Sequence, residues 1–171
     1  METGTSLEEA IAATVATRDE QVATRRLPIT GLTEFPNLAE TLPERDGEPD
    51  DVRRYGAAFE TLRDEPAATP VFLATLGTVA EHTARATFAT NLFAAGGIRV
   101  ETGSYGSQPV VCLAGTDAAY DESGAETAAA LREAGAVRVV VAGKPREWAD
   151  DSCAMGVDAL AFLRRTREAL A

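Results

Sequence analysis

Glu81 and His82 are the side chains of this 171-residue chain that come nearest to chemistry by type and position. They stand just beyond Gly77, which stops an apolar β-type run over 70–76, and they open a long helical pattern that ends at Gly96 and Gly97. A buried strand feeding a helix across a glycine is how an open parallel α/β sheet begins, and such sheets bind ligands at the carboxyl ends of their strands. His82 is the chain's only histidine, so any imidazole base or ligand has to be this one ring. Two further apolar runs end in Gly115-Thr116-Asp117 and Gly143-Lys144-Pro145, where Thr116 could donate to a base or phosphate and Lys144 could hold an anion. The plainer account of the same residues is a solvated or helix-capping His82, a turn at Gly143 and Pro145, and a solvated Lys144.

Several chemistries are excluded by what the chain lacks. It has no Gly-x-Gly-x-x-Gly and no Walker-type lysine motif for nucleotide phosphates, and no Gly-x-Ser-x-Gly elbow for a hydrolase. Cys112 and Cys153 are far apart and share no metal-ligand spacing, so no zinc site or redox dithiol is expected, and Cys112 reads as a buried, reduced thiol within a strand. Asp117 and Lys144 faintly imitate a phospho-receiver pair. Such a domain needs acidic residues after its first strand to hold Mg²⁺, and Leu76-Gly77-Thr78-Val79 is neutral.

These strand ends need a core to position them, and 45% hydrophobic residues supply one. The formal charge of −11 argues against nucleic acid and anionic membranes as partners, because binding to both relies on Lys and Arg. Residues 1–69 carry 15 acids against 7 bases, a net −8, which leaves −3 for the remainder. No run approaches a membrane span, and Met1-Glu2-Thr3-Gly4 has no secretion-signal character, so a cytoplasmic protein is expected.

The elements follow from period and punctuation. Ser6 and Glu9 have capping-box spacing ahead of a helix over 6–24, with Leu7, Ala10, Ile11, Thr14 and Val15 on one face. The stretch 25–36, bracketed by prolines and a glycine, reads as extended chain docked on something else. Residues 43–51 are acidic, hold Pro and Gly and have linker composition. Val52, Tyr55, Phe59 and Leu62 then line a helical face that Pro66 ends. Strands are predicted at 70–76, 98–101, 110–114 and 137–142, and helices at 80–95, from a Ser123/Glu126 capping box to Gly135, and from about Asp158 onward. Ala84, Phe88, Leu92 and Ala95 are the expected inner face of the first of these helices. In the last, the inner residues are Ala159, Phe162, Leu163, Thr166 and Leu170.

The β-α-β alternation predicts a doubly wound, mostly parallel α/β sheet. Residues 102–109 are too few for a crossover helix, and between Gly156 and the last helix there is room for little more than Val157, so the usual fifth strand is missing or vestigial. The expectation is therefore a sheet reduced to four strands, whose open edge needs a partner or a charged guard. The predicted organisation is a docking helix and extended segment over 1–42, an acidic linker and helix over 43–69, and the α/β domain over 70–171.

Two segments carry a resemblance. Phe72-Leu73-Ala74-Thr75-Leu76-Gly77 followed by His82-Thr83-Ala84-Arg85-Ala86-Thr87-Phe88-Ala89-Thr90-Asn91-Leu92-Phe93-Ala94-Ala95-Gly96-Gly97-Ile98 is similar to the flavodoxin-like, cobalamin-binding-type domain of the methylmalonyl-CoA mutase small subunit. Upstream, Ala23-Thr24-Arg25-Arg26 and Pro28-Ile29-Thr30-Gly31-Leu32-Thr33-Glu34-Phe35-Pro36-Asn37-Leu38-Ala39 resemble that subunit's passage from the end of its barrel domain into the linker. Val110 to Asp117, Val137 to Pro145 and Asp158 to Leu170 continue the likeness.

In that family adenosylcobalamin generates the radical that interconverts methylmalonyl-CoA and succinyl-CoA, and the small subunit is a non-catalytic relative of the large one. The cobalamin-binding form carries Asp-x-His-x-x-Gly after its first strand, with the histidine as lower cobalt ligand. Here that motif falls on Val79-Ala80-Glu81-His82-Thr83-Ala84, so its aspartate, histidine and glycine slots hold Val79, Glu81 and Ala84. Val79 cannot orient an imidazole, Glu81 is a hard oxygen donor and Ala84 adds bulk. His82 sits one residue late and lacks its aspartate.

The resemblance thus implies cobalamin-site-like positions at Gly77, Thr78, Glu81, His82, Thr116 and Gly143, with no catalytic residue and no metal ligand. It also implies a heterodimer with a catalytic large subunit that carries the adenosylcobalamin. The alternative is a stand-alone module that binds a corrinoid or nucleotide without catalysis.

Overall fold

Three of the chain's most apolar stretches, Val71–Thr75 (β1), Val110–Ala114 (β3) and Arg138–Ala142 (β4), pair in parallel at the centre of a sheet, in the computed structural model that describes residues 6–41 and 52–171. Two short edge strands, Val100–Glu101 (β2) and Asp151–Cys153 (β5), complete the order β2-β1-β3-β4-β5, all parallel. Helices flank both faces in a flavodoxin-like α/β arrangement, as the alternation predicts. The segment 43–51, where the linker was expected, lies outside the described residues.

Alternation along the strands divides the core in two. On one face Val71, Leu73, Cys112, Ala114, Val140 and Cys153 pack under Val79–Ala95 (α3) and Ala159–Leu170 (α6). Phe59 of Ala57–Asp64 (α2) and Val22, near the end of Leu7–Ala23 (α1), join that layer. On the other face Phe72, Val111, Leu113, Val139 and Val141 meet a helix that opens as Asp117–Ala119 (α4), runs through a π-helical turn at Tyr120–Gly124 and continues as Ala125–Glu133 (α5). The π turn is pinned at both ends, by the Tyr120 hydroxyl on the strand ends and by Gly124 against the Trp148 ring.

The sheet has five strands, one more than the sequence suggests. β5 follows β4 through 143–150 without a helix, with Asp150 N–H donating to Val139 O (2.8 Å) and Gly143 N–H to Cys153 O (2.9 Å). Its apolar signal is absent because Asp151 leads it, held by Arg138 (2.6 Å) and Arg165 (2.9 Å). That ion network is the charged guard expected of an edge.

The connection 102–109 holds no helix, as expected. Tyr105 instead lays its ring edge-on to Phe72 at 5.3 Å, while Gln108 accepts from Gly106 N–H (2.9 Å) and donates to Glu101 (2.8 Å).

Other elements depart from the pattern. The Ser6–Glu9 capping box forms, yet the expected face of α1 is uncovered: Leu7 is 77% and Ile11 55% exposed, and only Val22 is fully buried in that helix. α2 begins at Ala57, leaving Val52 and Tyr55 ahead of it and exposed. Ser123 donates to Ala119 O inside a continuing helix instead of capping a new one. In α3 the buried residues are Ala89, Leu92, Phe93 and Ala95, while Ala84 is exposed, so the inner stripe runs through Arg85.

The stretch 25–36 docks on this chain itself. Arg63 donates to the carbonyls of Gly31 (2.8 Å) and Asn37 (3.1 Å), and Leu32 enters the core beside Phe59.

Candidate ligand crevice at the strand ends

β1 ends at Gly77, which turns at φ +76° into Thr78, the residue preceding α3. The Glu81 carboxylate reaches back to accept from Thr78 N–H and from its hydroxyl, both at 2.7 Å. Those two bonds hold the Glu81 pKa below its usual value, with a small further contribution from His82. A side chain at 77 would put its Cβ 2.7 Å from Glu81 Oε2, so the glycine and the cap are one device. Gly77, Thr78 and Glu81 are thereby brought together, and their polar groups serve the start of their own helix. His82 follows, half-buried, its Nδ1 enclosed without a hydrogen-bond partner among the described residues.

One turn further along α3, Arg85 reaches over the carboxyl ends of β3 and β4, beside the point between β1 and β3 where the strand order reverses. Its guanidinium donates to Gly115 O (2.7 Å) and to Asp117 Oδ1 (2.8 Å), and lies 5.2 Å from the centre of the Tyr120 ring. Arg146 approaches the same ring at 5.6 Å and pairs with Asp117 (3.4 Å) and Asp121. The hydrogen bond from Arg85, aided by Arg146, depresses the Asp117 pKa. Under the ring, the Tyr120 hydroxyl accepts from Gly115 N–H (2.9 Å) and faces the carbonyls of Ala142 (2.8 Å) and Leu113 (3.1 Å). Burial pushes this phenol's pKa up.

The remaining expected positions border this cluster. Thr116 uses its hydroxyl to accept from Ala119 N–H (3.1 Å) at the start of α4. Gly143, at φ +149°, faces the Arg85 guanidinium, and Lys144 is exposed. Arg85, Tyr120 and Arg146 organise the crevice and were missed in the sequence. The available signal was Arg85's place four residues after Glu81 and four before the buried Ala89.

The residues present do not fit a corrin with an axial nitrogen. Glu81 is a hard oxygen donor whose Oε2 is already engaged by Thr78, the one imidazole has its Nδ1 enclosed, and the Arg85 guanidinium is bound at the strand ends. Two hollows elsewhere do not involve these positions: a wide-open one on α1, and one of about 50 Å³ between Arg25, Glu34, Phe88 and residues 154–157. No group of metal-holding side chains occurs, and no helix is long and apolar enough to cross a membrane, among the described residues.

No family model matches the chain. It is similar to the probable methylmalonyl-CoA mutase small subunit of Mycobacterium tuberculosis (strain ATCC 25618 / H37Rv), 42% identical over 163 residues, covering 82% of this chain and 26% of that protein. It is 41% identical over 186 residues to the methylmalonyl-CoA mutase small subunit of Streptomyces virginiae (91% and 30%), and 31% identical over 161 residues to that of Propionibacterium freudenreichii subsp. shermanii (80% and 25%). The chain spans between a quarter and a third of the length of these relatives.

Proposed function

Because this chain belongs to the methylmalonyl-CoA mutase small-subunit family, we propose that it is a non-catalytic structural partner that packs against a mutase large subunit. Adenosylcobalamin, and the interconversion of methylmalonyl-CoA and succinyl-CoA that its radical chemistry allows, belong in this reading to the partner. The observation that carries it is the crevice. At the strand ends where a cofactor-binding α/β domain takes its ligand, this chain sets its own Arg85 against Gly115, Asp117 and Tyr120.

α1 supports the same reading. A 17-residue helix gains most of its stability from tertiary packing, yet here Leu7 and Ile11 face outward. A large subunit laid along that face would bury them. The first turn of α1 carries Glu8 and Glu9, and the chain's net charge of −11 favours a protein partner over nucleic acid.

Co-expression with a methylmalonyl-CoA mutase large chain, followed by size-exclusion chromatography, tests this. The expected result is a stable heterodimer. A chain that stays monomeric in the mixture, and alone takes up a corrinoid or nucleotide with a change in visible or ultraviolet spectrum, would instead be a free-standing binding module.

A further inference from the structure

Building on that reading, we propose that Arg85 is the permanent occupant of the strand-end crevice, an internal guanidinium in a site whose chemistry is that of a planar-cation receptor. Three groups from separate elements converge on it: the Gly115 carbonyl at the end of β3 (2.7 Å), the Asp117 carboxylate at the start of α4 (2.8 Å), and the face of Tyr120 (5.2 Å). A carbonyl, a carboxylate and an aromatic face match the in-plane donors and the flat surface of a guanidinium, and an ammonium matches them less well. Tyr120 is itself fixed by three backbone groups, so the receptor is preformed. The fourth wall is Gly143. A Cβ there would sit 3.3 Å from Arg85 Cζ and Nη1, so the absent side chain lets the guanidinium lie close without crowding.

This explains how the ligand end of the sheet is complete without a ligand. Gly115 O, Asp117 and the Tyr120 face, the groups a bound molecule would have to satisfy, are satisfied from within. Arg146, the second guanidinium at the ring, is likewise committed to Asp117 and Asp121.

Removal and replacement of the side chain tests the proposal on the full chain. Arg85→Ala should lower Tm by about 3–6 °C, and millimolar ethylguanidinium should recover most of that loss saturably in the variant while leaving wild type unmoved. Ethylammonium at equal ionic strength should recover little. Arg85→Lys, which keeps the charge and loses the fork, should fall below wild type in Tm and provides the reading if Arg85→Ala does not fold. The proposal is overturned by an Arg85→Lys protein as stable as wild type, or by an Arg85→Ala protein that responds to ethylguanidinium no differently from wild type or from its own response to ethylammonium. Loss of the partner-chain reading would show separately, as failure of the wild-type chain to form a complex with the large subunit.

Discussion

Gly143 and Arg85 are closely packed: the glycine turns at φ +149° after β4, and a Cβ there would come within 3.3 Å of the Arg85 guanidinium, tighter than an ordinary contact. Gly143→Ala therefore meets both an unfavourable backbone conformation and a displaced arginine, and should destabilise by about 1–3 kcal/mol. In an Arg85→Ala background the steric part disappears, so the two changes should be less than additive in urea-denaturation midpoints.

Asp117 supplies a pH dependence of known sign. Its pKa is depressed below the ordinary 3.8, first by the hydrogen bond from Arg85, then by the charge of Arg85 and after it that of Arg146. A carboxylate with a lowered folded pKa contributes stability that is fully present above its unfolded value and is lost as pH falls through the folded one. Wild type should thus lose stability below about pH 4 more steeply than Asp117→Asn. Glu81, lowered by the Thr78 N–H and hydroxyl, acts in the same direction, so a Glu81→Gln/Asp117→Asn double variant should show the flattest acid limb in urea midpoints against pH.

Tyr120→Phe removes one oxygen and strands a buried donor. Gly115 N–H has the phenol oxygen as its acceptor, and the carbonyls of Ala142 and Leu113 face the same hydroxyl. The expected cost is about 1–3 kcal/mol, with faster hydrogen exchange at the Gly115 amide.

Arg167 joins three elements by donating to Leu62 O (3.0 Å), Gly96 O (3.2 Å) and Glu65 O. Beneath that clamp Gly97 turns at φ +70°, and a Cβ there would lie 2.8 Å from Leu62 O. Gly97→Ala should destabilise by about 2–4 kcal/mol through strain and backbone clash. Arg167→Met, which keeps the aliphatic stem, should lose about 1–3 kcal/mol from the carbonyls left without their charged donor.

Both thiols are closed to solvent, and the Cys112 pKa is raised by its hydrogen bond with Cys153 and by burial. A thiol reagent at pH 8 should label neither in the native chain and both once it is denatured. Fast native labelling would show that the sheet opens at β3 or β5.

Where burial repeats locally, the sequence is enough. β3 spans Val110–Ala114 in both accounts, and α6 buries Ala159, Phe162, Leu163, Thr166 and Leu170, the same five residues its period selects. A helix or strand facing a core repeats its apolar residues at its own pitch, and that pitch is visible without the fold. The glycines at 77 and 96–97 mark element ends because a tight reversal leaves no room for a side chain.

β5 escaped notice because it is three residues led by an aspartate, and its place is fixed by Arg138 and Arg165 from elsewhere in the chain. The face of α1 is legible as apolar, yet whether something covers it depends on partners that periodicity does not describe.

The crevice shows the division most clearly. Sequence determined that Gly77, Thr116 and Gly143 stand at strand ends and Glu81 in the first turn of the helix that follows, because strand and helix boundaries are local events. Only tertiary structure decided that Arg85 fills the space between them, because its bonds to Gly115 and Asp117 span 30 and 32 residues. A polar side chain among small neighbours on a helix gives no periodic sign of what lies opposite it, so the occupant of the crevice emerges only when the sheet brings β1, β3 and β4 side by side.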